Sequence, residues 1–345
     1  MPPMNGFRLQ LTELCTGLAQ RHEVSVLAYG AEAERRDAPA GVELLTLAPP
    51  EGGRAARGAA TLRALLGRRP RRVGIVTRPM VEALESLLAN RDFDLVQVSG
   101  PQLAGVSPAL GERPSVLAVL DAWHLNVGAE ARMAPALKRP LYRLEERNVR
   151  RFSATAFRPF RRVVVVSESD AEALVDLDPG LAVAVVPNGV DTEELAPNPE
   201  VPAEEGLVVF TGAMHWAPNV EAAHFLVRRV LPLLRERRPG ARLAIVGRNP
   251  RPDVAELAAI ENVEVTGGVP DIRPWLWRAQ AFACPMVSGT GIKNKLLEAS
   301  PAAPPASRRH SPARGSAQCP AATCWSRRRP RSSPRRSTGC SPTSL

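Results

Sequence analysis

The chain of 345 residues has few aromatic side chains (4%). No hydrophobic run reaches the roughly 18 residues that a bilayer-spanning helix needs. Its five cysteines show neither a Cys-x-x-Cys pair nor a Cys/His spacing, so the sequence indicates no zinc site and no disulfide framework. The first residues lack the charged and then apolar pattern of a secretory signal. We therefore expect a cytoplasmic protein.

Positive charge is distributed unevenly along the chain. The net charge is +10, but nine arginines and no acidic residue follow Ser300, so the residues up to Ser300 carry a net charge of only +1. The usual sign of a nucleic-acid partner therefore depends on the last segment alone. A second basic run, Arg68–Arg72, ends a Gly-, Ala- and Arg-rich stretch. We interpret it as a solvated loop, with anionic lipid headgroups as the alternative partner.

Strands alternate with helices along most of the chain, which predicts an α/β fold with parallel sheets. Short apolar runs predict strands at 24–29, 42–47, 93–98, 115–120, 163–166, 183–186, 207–210, 242–246, 263–265 and 279–285. Helical spacing predicts buried helix faces in both halves. The residues concerned are Phe7, Leu11, Leu14 and Leu18 in the first half, and Val220, Ala223, Val227, Val230 and Leu234 in the second.

Composition divides the chain into four segments. We predict a first Rossmann-like domain at 1–198, a linker at 199–206, a partial second domain at 207–299 and a tail at 300–345. The tail has no periodicity and too little apolar surface to fold, so we predict that it is disordered. A β–α–β domain should open with a strand, and no strand precedes Asn5-Gly6. The first domain is therefore expected to lack its first strand.

Five stretches in order resemble the GT-B-fold retaining glycosyltransferases of family 4, in particular the sugar transferases associated with exopolysaccharide and PEP-CTERM systems. They are VVVVSESD (163–170), VVPNGVD (185–191), FTGAMHWAPN (210–219), IVGRNP (245–250) and GIKNKLLEA (291–299). The resemblance covers nearly all of residues 1–299. It implies two Rossmann-like domains facing a cleft, with the acceptor on the first and the nucleotide-sugar on the second. It also implies metal-independent transfer, so no metal and no cofactor are expected.

Sugar transfer from a nucleotide diphosphate needs cations and hydrogen-bond donors that stabilise charge on the leaving diphosphate. The resemblance assigns donor binding to Gly6, Gly212, Asn219, Arg248, Lys293, Lys295 and Glu298. Glu298 matches the second glutamate of the family's E-x7-E signature, which binds the nucleotide ribose, whereas Thr290 stands at the first position. For Asn219 we prefer the role of a helix N-cap. The alternative to donor binding is that the charged residues are simply exposed to solvent and that Gly212 is an ordinary glycine at the end of a strand.

Asp121 and His124 follow a predicted strand of the first domain, where family members carry an active-site His or Asp. We assign both as candidate catalytic residues, although a lone histidine is often structural. His215 and Trp216 are candidates to line the cleft, and core packing is the alternative for Trp216.

The sequence thus predicts a retaining glycosyltransferase that moves a sugar from a nucleotide-diphosphate donor to a lipid-linked or polysaccharide acceptor. Peripheral contact with the inner face of the plasma membrane through Arg68–Arg72 is the alternative to a solvated loop at that run, and we expect no specific nucleic acid. Two alternatives share the fold: a catalytically inactive remnant that binds nucleotide sugar, and a nucleotide-sugar epimerase. A basic nucleic-acid binder is a third, and it depends wholly on the tail.

The composition of the tail suggests a shift of reading frame. Pro, Arg, Ser and Ala dominate it, as GC-rich coding DNA produces when translated out of frame. Read one base earlier, and with G or C at the third codon positions, residues 319–326 become a turn followed by a strand, which a further β–α unit needs. We therefore hypothesise a frameshift after Ala299 that truncates the second domain.

Resequencing the gene tests the frameshift hypothesis. We expect a missing or extra base near the codons for Glu298–Ser300, because the family-like motif ends there. A DNA read through these codons that agrees with the present translation would contradict a sequencing error.

Overall fold

In the computed structural model, the described residues are 6–31, 38–49, 75–286, 294–299 and 323–326, with the single positions 58, 62, 70 and 73. They divide into two compact units. Unit 1 contains residues 1–189 and 288–294, and unit 2 contains residues 190–287 and 295–345. The division falls before the linker predicted at 199–206, whose residues belong to unit 2. The predicted domain limits stay a prediction.

Unit 1 is an α/β unit with two parallel sheets. In one, β1 (Val24–Tyr29) pairs with β2 (Val42–Leu47). The other contains, in sequence order, β3 (Val96–Ser99), β4 (Ser115–Leu120), β5 (Arg162–Val165) and β6 (Val183–Val185). The α-helices are α1 (Gly6–Ala19), α2 (Arg78–Asn90), α3 (Ser107–Leu110), α4 (Trp123–Met133), α5 (Arg139–Ala156) and α6 (Glu168–Leu177), and 3₁₀ turns cover Pro101–Val106 and Ala136–Lys138. The strands predicted for this half are confirmed.

Two helices of unit 1 differ from the sequence prediction. In α1, Leu14 and Leu18 are 41% and 40% exposed, whereas Cys15 is buried, so the predicted inward face is wrong at both leucines. The charged stretch at about 134–151 also predicts a helix, but the helix there, α5, begins at Arg139 and ends at Ala156, and α4 precedes it. Pro135 separates the two helices because proline fits the start of a helix better than its interior, and Pro140 lies in the first turn of α5.

Unit 2 contains one sheet in the order β11–β10–β7–β8–β9. Its strands are β7 (Leu207–Thr211), β8 (Arg242–Val246), β9 (Val263–Gly267), β10 (Ala281–Cys284) and β11 (Thr323–Ser326). Its helical segments are α7 (Ala217–Phe225), a π turn (Leu226–Val230), α8 (Leu231–Arg237), α9 (Pro252–Ala255), a 3₁₀ turn (Glu256–Ala259), α10 (Arg273–Arg278) and α11 (Asn294–Ala299). β7 to β10 pair in parallel, and β11 pairs antiparallel with β10. Within the segment predicted to be a disordered tail, the structure describes only β11.

The core of unit 2 lies on both faces of this sheet. Along β8, Leu243 and Ile245 pack in one buried cluster, and Ala244 and Val246 pack in another. This alternation follows the two-residue period of a strand and explains why a strand covered on both faces is apolar throughout. The predicted buried face of the helix after β7 is confirmed, since Val220, Ala223 and Val227 are buried and Val230 and Leu234 pack against them.

The segment before β7 is fixed to unit 2. The Trp277 indole nitrogen donates to the Ala196 carbonyl oxygen at 2.9 Å. Glu204 accepts hydrogen bonds from both Arg242 and Arg278. Leu195 packs against the core of the unit. These contacts explain why the compact unit begins at residue 190 and not at β7.

Glycine is required where β7 and β8 end, because the two backbones touch there. A Cβ atom at Gly247 would lie 1.6 Å from the Gly212 carbonyl oxygen. Such contact cannot be relieved by turning a side chain. We expect Gly247→Ala to lower the free energy of unfolding by about 3 kcal/mol or more, at or above the usual cost of overpacking. Urea denaturation measures the loss.

Gly240→Ala is the matched control for this substitution. A Cβ atom there meets nothing within 4 Å, so its denaturation midpoint should stay close to that of the parent chain. Equal midpoints for both variants would show that the backbone contact at Gly247 does not constrain the fold.

Candidate functional site

The strand order of unit 2 creates a topological switch point between β7 and β10. From β7 the chain adds β8 and β9 on one side and then returns to add β10 on the other. Parallel sheets of this kind bind ligands beyond the carboxyl ends of their strands, at the switch point. The residues that follow β7 and β10 are therefore the first place to look for a site.

Three glycines lie side by side at this edge of the sheet, and we refer to Gly212, Gly247 and Gly267 as the glycine row. The Gly212 amide donates to the Val246 carbonyl oxygen at 3.0 Å, and the Gly247 amide donates to the Gly267 carbonyl oxygen at 3.1 Å. A Cβ atom at Gly212 would lie 2.6 Å from the Asn219 side-chain nitrogen. The row thus lets the neighbouring backbones and the Asn219 side chain approach where Cβ atoms would otherwise stand.

A lysine ammonium lies beside the glycine row. Lys295 Nζ donates to Asn219 Oδ1 at 2.7 Å, and Asn219 Nδ2 donates in turn to the Ala213 carbonyl oxygen at 3.0 Å. The same ammonium lies 4.7 Å from the centroid of the Phe210 ring and 4.0 Å from Met286 Sδ, which follows β10. These contacts hold the cation in one position at the switch point.

Glu298 lies one turn after Lys295 on α11, on the same side of the helix. Burial raises the pKa of its carboxyl above the ordinary glutamate value, and the positive charge of Lys295 partly opposes this rise. A half-buried carboxyl and a fixed ammonium therefore share one short helix at the edge of the glycine row.

The structure brings together some of the predicted donor residues and separates others. Gly212, Asn219 and Lys295 are in contact, and Glu298 shares the helix of Lys295. Arg248 follows the glycine row, is half-buried, and accepts a hydrogen bond from the Met214 amide at 2.9 Å through its carbonyl oxygen. Gly6 begins α1 in unit 1. Lys293 and Thr290 lie outside the described residues, as do the arginines of Arg68–Arg72.

Two sequence interpretations of this region are wrong. The N-cap position of α7 is Trp216 and not Asn219, which lies in the first turn and is 3% exposed. The Asn219 side chain cannot cap the helix because it bonds Ala213 and Lys295. Trp216 does not pack in the core, since it is 53% exposed, and His215 beside it is exposed as well.

Sequence reasoning missed four contributors to the site: Gly247, Gly267, Phe210 and Met286. The two glycines had a signal, because each ends or follows a buried strand, as Gly212 does. Phe210 and Met286 had none, because an apolar residue at a strand end looks like core until its neighbours are known.

Unit 1 carries the second candidate site at the carboxyl end of β4. Leu120 adopts a left-handed φ of 63°, and the Asp121 amide donates to the Val119 carbonyl oxygen at 2.8 Å. A left-handed leucine is strained, and such strain clusters at functional sites. The turn places Asp121, which is half-buried, directly after the sheet.

A buried carboxylate supports this strained turn. Asp170 is 1% exposed and accepts a hydrogen bond from the Ala122 amide at 2.9 Å. It also accepts one from the Ser167 hydroxyl. The same hydroxyl accepts from the Asp170 amide at 3.2 Å and so caps α6, as expected for a serine directly before a helix. Asp170 therefore holds the chain just after the strained residue.

His124 is buried at the start of α4. Its side chain is 2% exposed, and among the described residues its Nδ1 atom has no hydrogen-bond partner. The pKa of His124 is lowered to about 4, chiefly by burial and then by the positive charge of Arg150, while the charge of Asp170 opposes the shift. The imidazole is consequently neutral near pH 7.

Carboxylates are present in pairs but do not gather into a metal-binding group. Asp-x-Asp sequences occur at Asp92–Asp94 and Asp176–Asp178. Asp178 is paired with Arg158 at 2.7 Å. Within the described part of the chain, no group of three or more His, Cys, Asp or Glu side chains is placed to hold a metal ion.

A search of the helices in the described part of the chain found none long and apolar enough to cross a membrane.

Two family models match the chain. The model described as Glycosyltransferase Family 4 matches residues 4–194, and the model described as Glycosyl transferases group 1 matches residues 205–306. The first alone covers more than half of the sequence. The chain therefore belongs to glycosyltransferase family 4. A search of the curated proteins found none that matches.

Solved structures with a similar fold include one titled as a glycosyltransferase. The Anabaena protein Alr3699/HepE, in complex with UDP and glucose, aligns with a TM-score of 0.58 at 15% identity over 88% of this chain and 76% of that one. A glycosyltransferase from Rickettsia africae ESF-5 gives a TM-score of 0.57 at 12% identity, with the same two coverages. The α,α-trehalose 6-phosphate synthase from Burkholderia multivorans gives 0.53 at 12% identity, over 88% and 79%. At these identities the likeness concerns the fold, which is that of GT-B glycosyltransferases.

The burial of His124 predicts a loss of stability at mildly acid pH. Its folded pKa of about 4 lies below the ordinary value of about 6.5, so the unfolded chain binds the proton first as pH falls. We expect the free energy of unfolding to fall by about 2 kcal/mol between about pH 7 and about pH 5 through this group alone. Urea denaturation of the parent chain and of His124→Gln measures the difference.

The glutamine variant should lose this part of the pH dependence. His22→Gln, which changes an exposed histidine, is the matched control and should keep it. If the parent chain and His124→Gln show the same change with pH, the imidazole is not held neutral by burial.

Proposed function

We propose that the chain transfers a sugar from a nucleotide-diphosphate donor to a lipid-linked or polysaccharide acceptor, with retention at the anomeric carbon. The observation that carries the proposal is the Lys295 ammonium held by Asn219 beside the glycine row at the β7–β10 switch point. A fixed cation suits a diphosphate whose charge increases as the sugar leaves. Membership of the family supports transfer as the reaction.

The partner of Lys295 strengthens this argument. Asn219 is neutral, so the hydrogen bond that positions the ammonium does not cancel its charge. An aspartate at the same place would form an ion pair and leave less positive charge for the ligand. The fold thus orients the Lys295 ammonium before the donor arrives.

We propose that Glu298 binds the nucleotide ribose. Gly6, Arg248 and Lys293 are proposed to make further contacts with the phosphates. Glu298 is half-buried and one helical turn from Lys295, so a single helix supplies both a hydroxyl acceptor and a phosphate cation. We propose that transfer needs no metal and no cofactor. Because solved structures of the Anabaena neighbour contain UDP or UDP-glucose, these two ligands are the first probes.

On the acceptor side, we propose that Asp121 contacts the acceptor and that His124 supports the turn that carries Asp121. Asp121 is half-buried and stands on a turn that Asp170 braces, whereas His124 is almost fully enclosed. A carboxylate at this place is suited to accept a hydrogen bond from an acceptor hydroxyl. The neutral imidazole then adds no positive charge that would compete for Asp121.

We also propose that the residues after Ala299 are read out of frame and that the enzyme belongs to exopolysaccharide synthesis at the inner face of the membrane. The group 1 model matches only to residue 306. In the sheet of unit 2, the strand supplied by the tail is antiparallel, although its neighbours are all parallel. A regular doubly wound sheet would place a parallel strand there.

Titration calorimetry with UDP and UDP-glucose tests the donor site. We expect the parent chain to bind UDP and Lys295→Ala to bind it about 10-fold or more weakly, since a hydrogen bond to a charged group contributes roughly 1.5–3 kcal/mol. Lys138→Ala, which removes an exposed lysine of unit 1, is the matched control. Equal affinity for UDP in the parent and Lys295→Ala would contradict the assigned donor site.

Turnover distinguishes the proposed reaction from its alternatives. Transfer of labelled glucose from UDP-glucose to a glycan or lipid extract supports the transferase. Binding without turnover supports the inactive remnant. A changed sugar nucleotide without any acceptor supports the epimerase. If the chain still binds nucleic acid after the tail arginines are replaced, its affinity for nucleic acid does not depend on the tail alone.

A further inference from the structure

One face of α5 is covered by arginines. Arg139, Arg143, Arg147, Arg150 and Arg151 are all exposed. At 100° per residue they fall within an arc of roughly 120°, so they form one continuous band along the helix. The band spans about 18 Å at 1.5 Å per residue. We refer to these five residues as the arginine stripe.

The positive charge of the stripe is not neutralised by neighbouring carboxylates. None of the five arginines forms an ion pair with the described residues, and Arg139 donates only to the Ala134 carbonyl oxygen, at 3.0 Å. Of the two acidic residues of α5, Glu145 is 6% exposed and Glu146 is half-buried against Gly128. The charge is also local, because the residues up to Ser300 carry a net charge of only +1.

An exposed leucine stands at the start of the stripe. Leu137 lies in the turn between α4 and α5 and is 95% exposed, the highest value among the exposed large apolar residues of the described chain. Lys138 follows it and adds another exposed cation. An apolar tip beside a cationic helix face is typical of segments that lie on an anionic bilayer. A nucleic acid would gain nothing from the leucine.

The helix that carries the stripe packs directly against the acceptor-side turn. Trp123 at the start of α4 contacts Phe152 of α5, with ring centroids 6.2 Å apart, and Val149 is buried in the same cluster. The buried side of α5 is therefore fixed to the turn that carries Asp121 and His124. A surface bound by the exposed side would lie one helix diameter, about 10 Å, from that turn.

We propose that the arginine stripe and Leu137 form a docking surface for an anionic phospholipid bilayer. The arginines contact headgroup phosphates, and the leucine enters the interface. The inference rests on the proposed function in one respect, because a lipid-linked acceptor is presented at such a surface. It also moves the expected membrane contact from Arg68–Arg72 to α5.

Vesicle flotation with the full chain tests the docking surface. The probes are vesicles of phosphatidylcholine alone and of phosphatidylcholine with phosphatidylglycerol. The stripe variant is Arg143→Gln with Arg147→Gln and Arg151→Gln, since glutamine keeps helix propensity. We expect it to bind anionic vesicles about 10-fold or more weakly than the parent, because each cation near such a surface contributes of the order of 1 kcal/mol.

The matched control removes the same charge from unit 2 through Arg228→Gln, Arg229→Gln and Arg237→Gln, three exposed positions. Because the tail arginines are present in every variant, only the difference between the two triples is informative. Leu137→Ser is a second variant outside the helix, and we expect it to weaken binding at high salt, where electrostatic attraction is screened. Thermal melts confirm that each variant is folded.

Several results would overturn the proposal. One is a stripe variant that binds anionic vesicles as tightly as the parent chain does. Another is a control triple that loses as much vesicle binding as the stripe variant. A stripe variant that loses binding to polyuridine RNA while vesicle binding is unchanged would assign the surface to nucleic acid. No donor or acceptor enters the assay, so its failure would leave the proposed transfer reaction intact, and loss of that reaction would leave the docking surface intact.

Discussion

The close contact between the ends of β7 and β8 is the constraint on which the donor side depends. Where Gly212 and Gly247 meet, there is no room for even one additional carbon atom. Lys295 and Asn219 fill the space beside Gly212, where a Cβ atom would otherwise stand. The packing of the strand ends and the place of these two side chains therefore depend on the same two glycines.

Sequence reasoning succeeded where a local pattern determines the outcome. Apolar runs bounded by glycine located the strands, because a strand buried on both faces of a sheet must be apolar throughout. Helical spacing located the buried face of the helix at Val220 and Ala223. It failed where the partner is distant in sequence. Asn219 looked like a cap because Lys295, 76 positions away, is not visible from its neighbours. The inward face of α1 was misjudged because leucine and cysteine both suit a core, and only tertiary contacts choose Cys15 over Leu14.

The two candidate sites are stabilised in different ways. On the proposed donor side, an uncharged amide, that of Asn219, positions the Lys295 ammonium. On the acceptor side, a left-handed leucine is retained because Asp170 bonds the following amide from within the core. Strain of this size costs of the order of 1–3 kcal/mol, and a buried hydrogen bond to a carboxylate offsets a similar amount. Secondary-structure propensity predicts neither arrangement. Asp121 and His124 could therefore be located at a strand end from sequence, but the geometry of their turn could not be predicted.

Burial also separates the roles of the two acceptor-side residues. A group that contacts substrate must be reachable, and His124 at 2% exposure is not, whereas Asp121 is half-buried. A neutral histidine three residues after Asp121 adds no positive charge to this end of the sheet. In the proposed transfer, positive charge acts on the leaving diphosphate and negative charge acts on the acceptor hydroxyl. The sign of each site therefore matches the charge that develops at it, which is the condition that electrostatic catalysis requires.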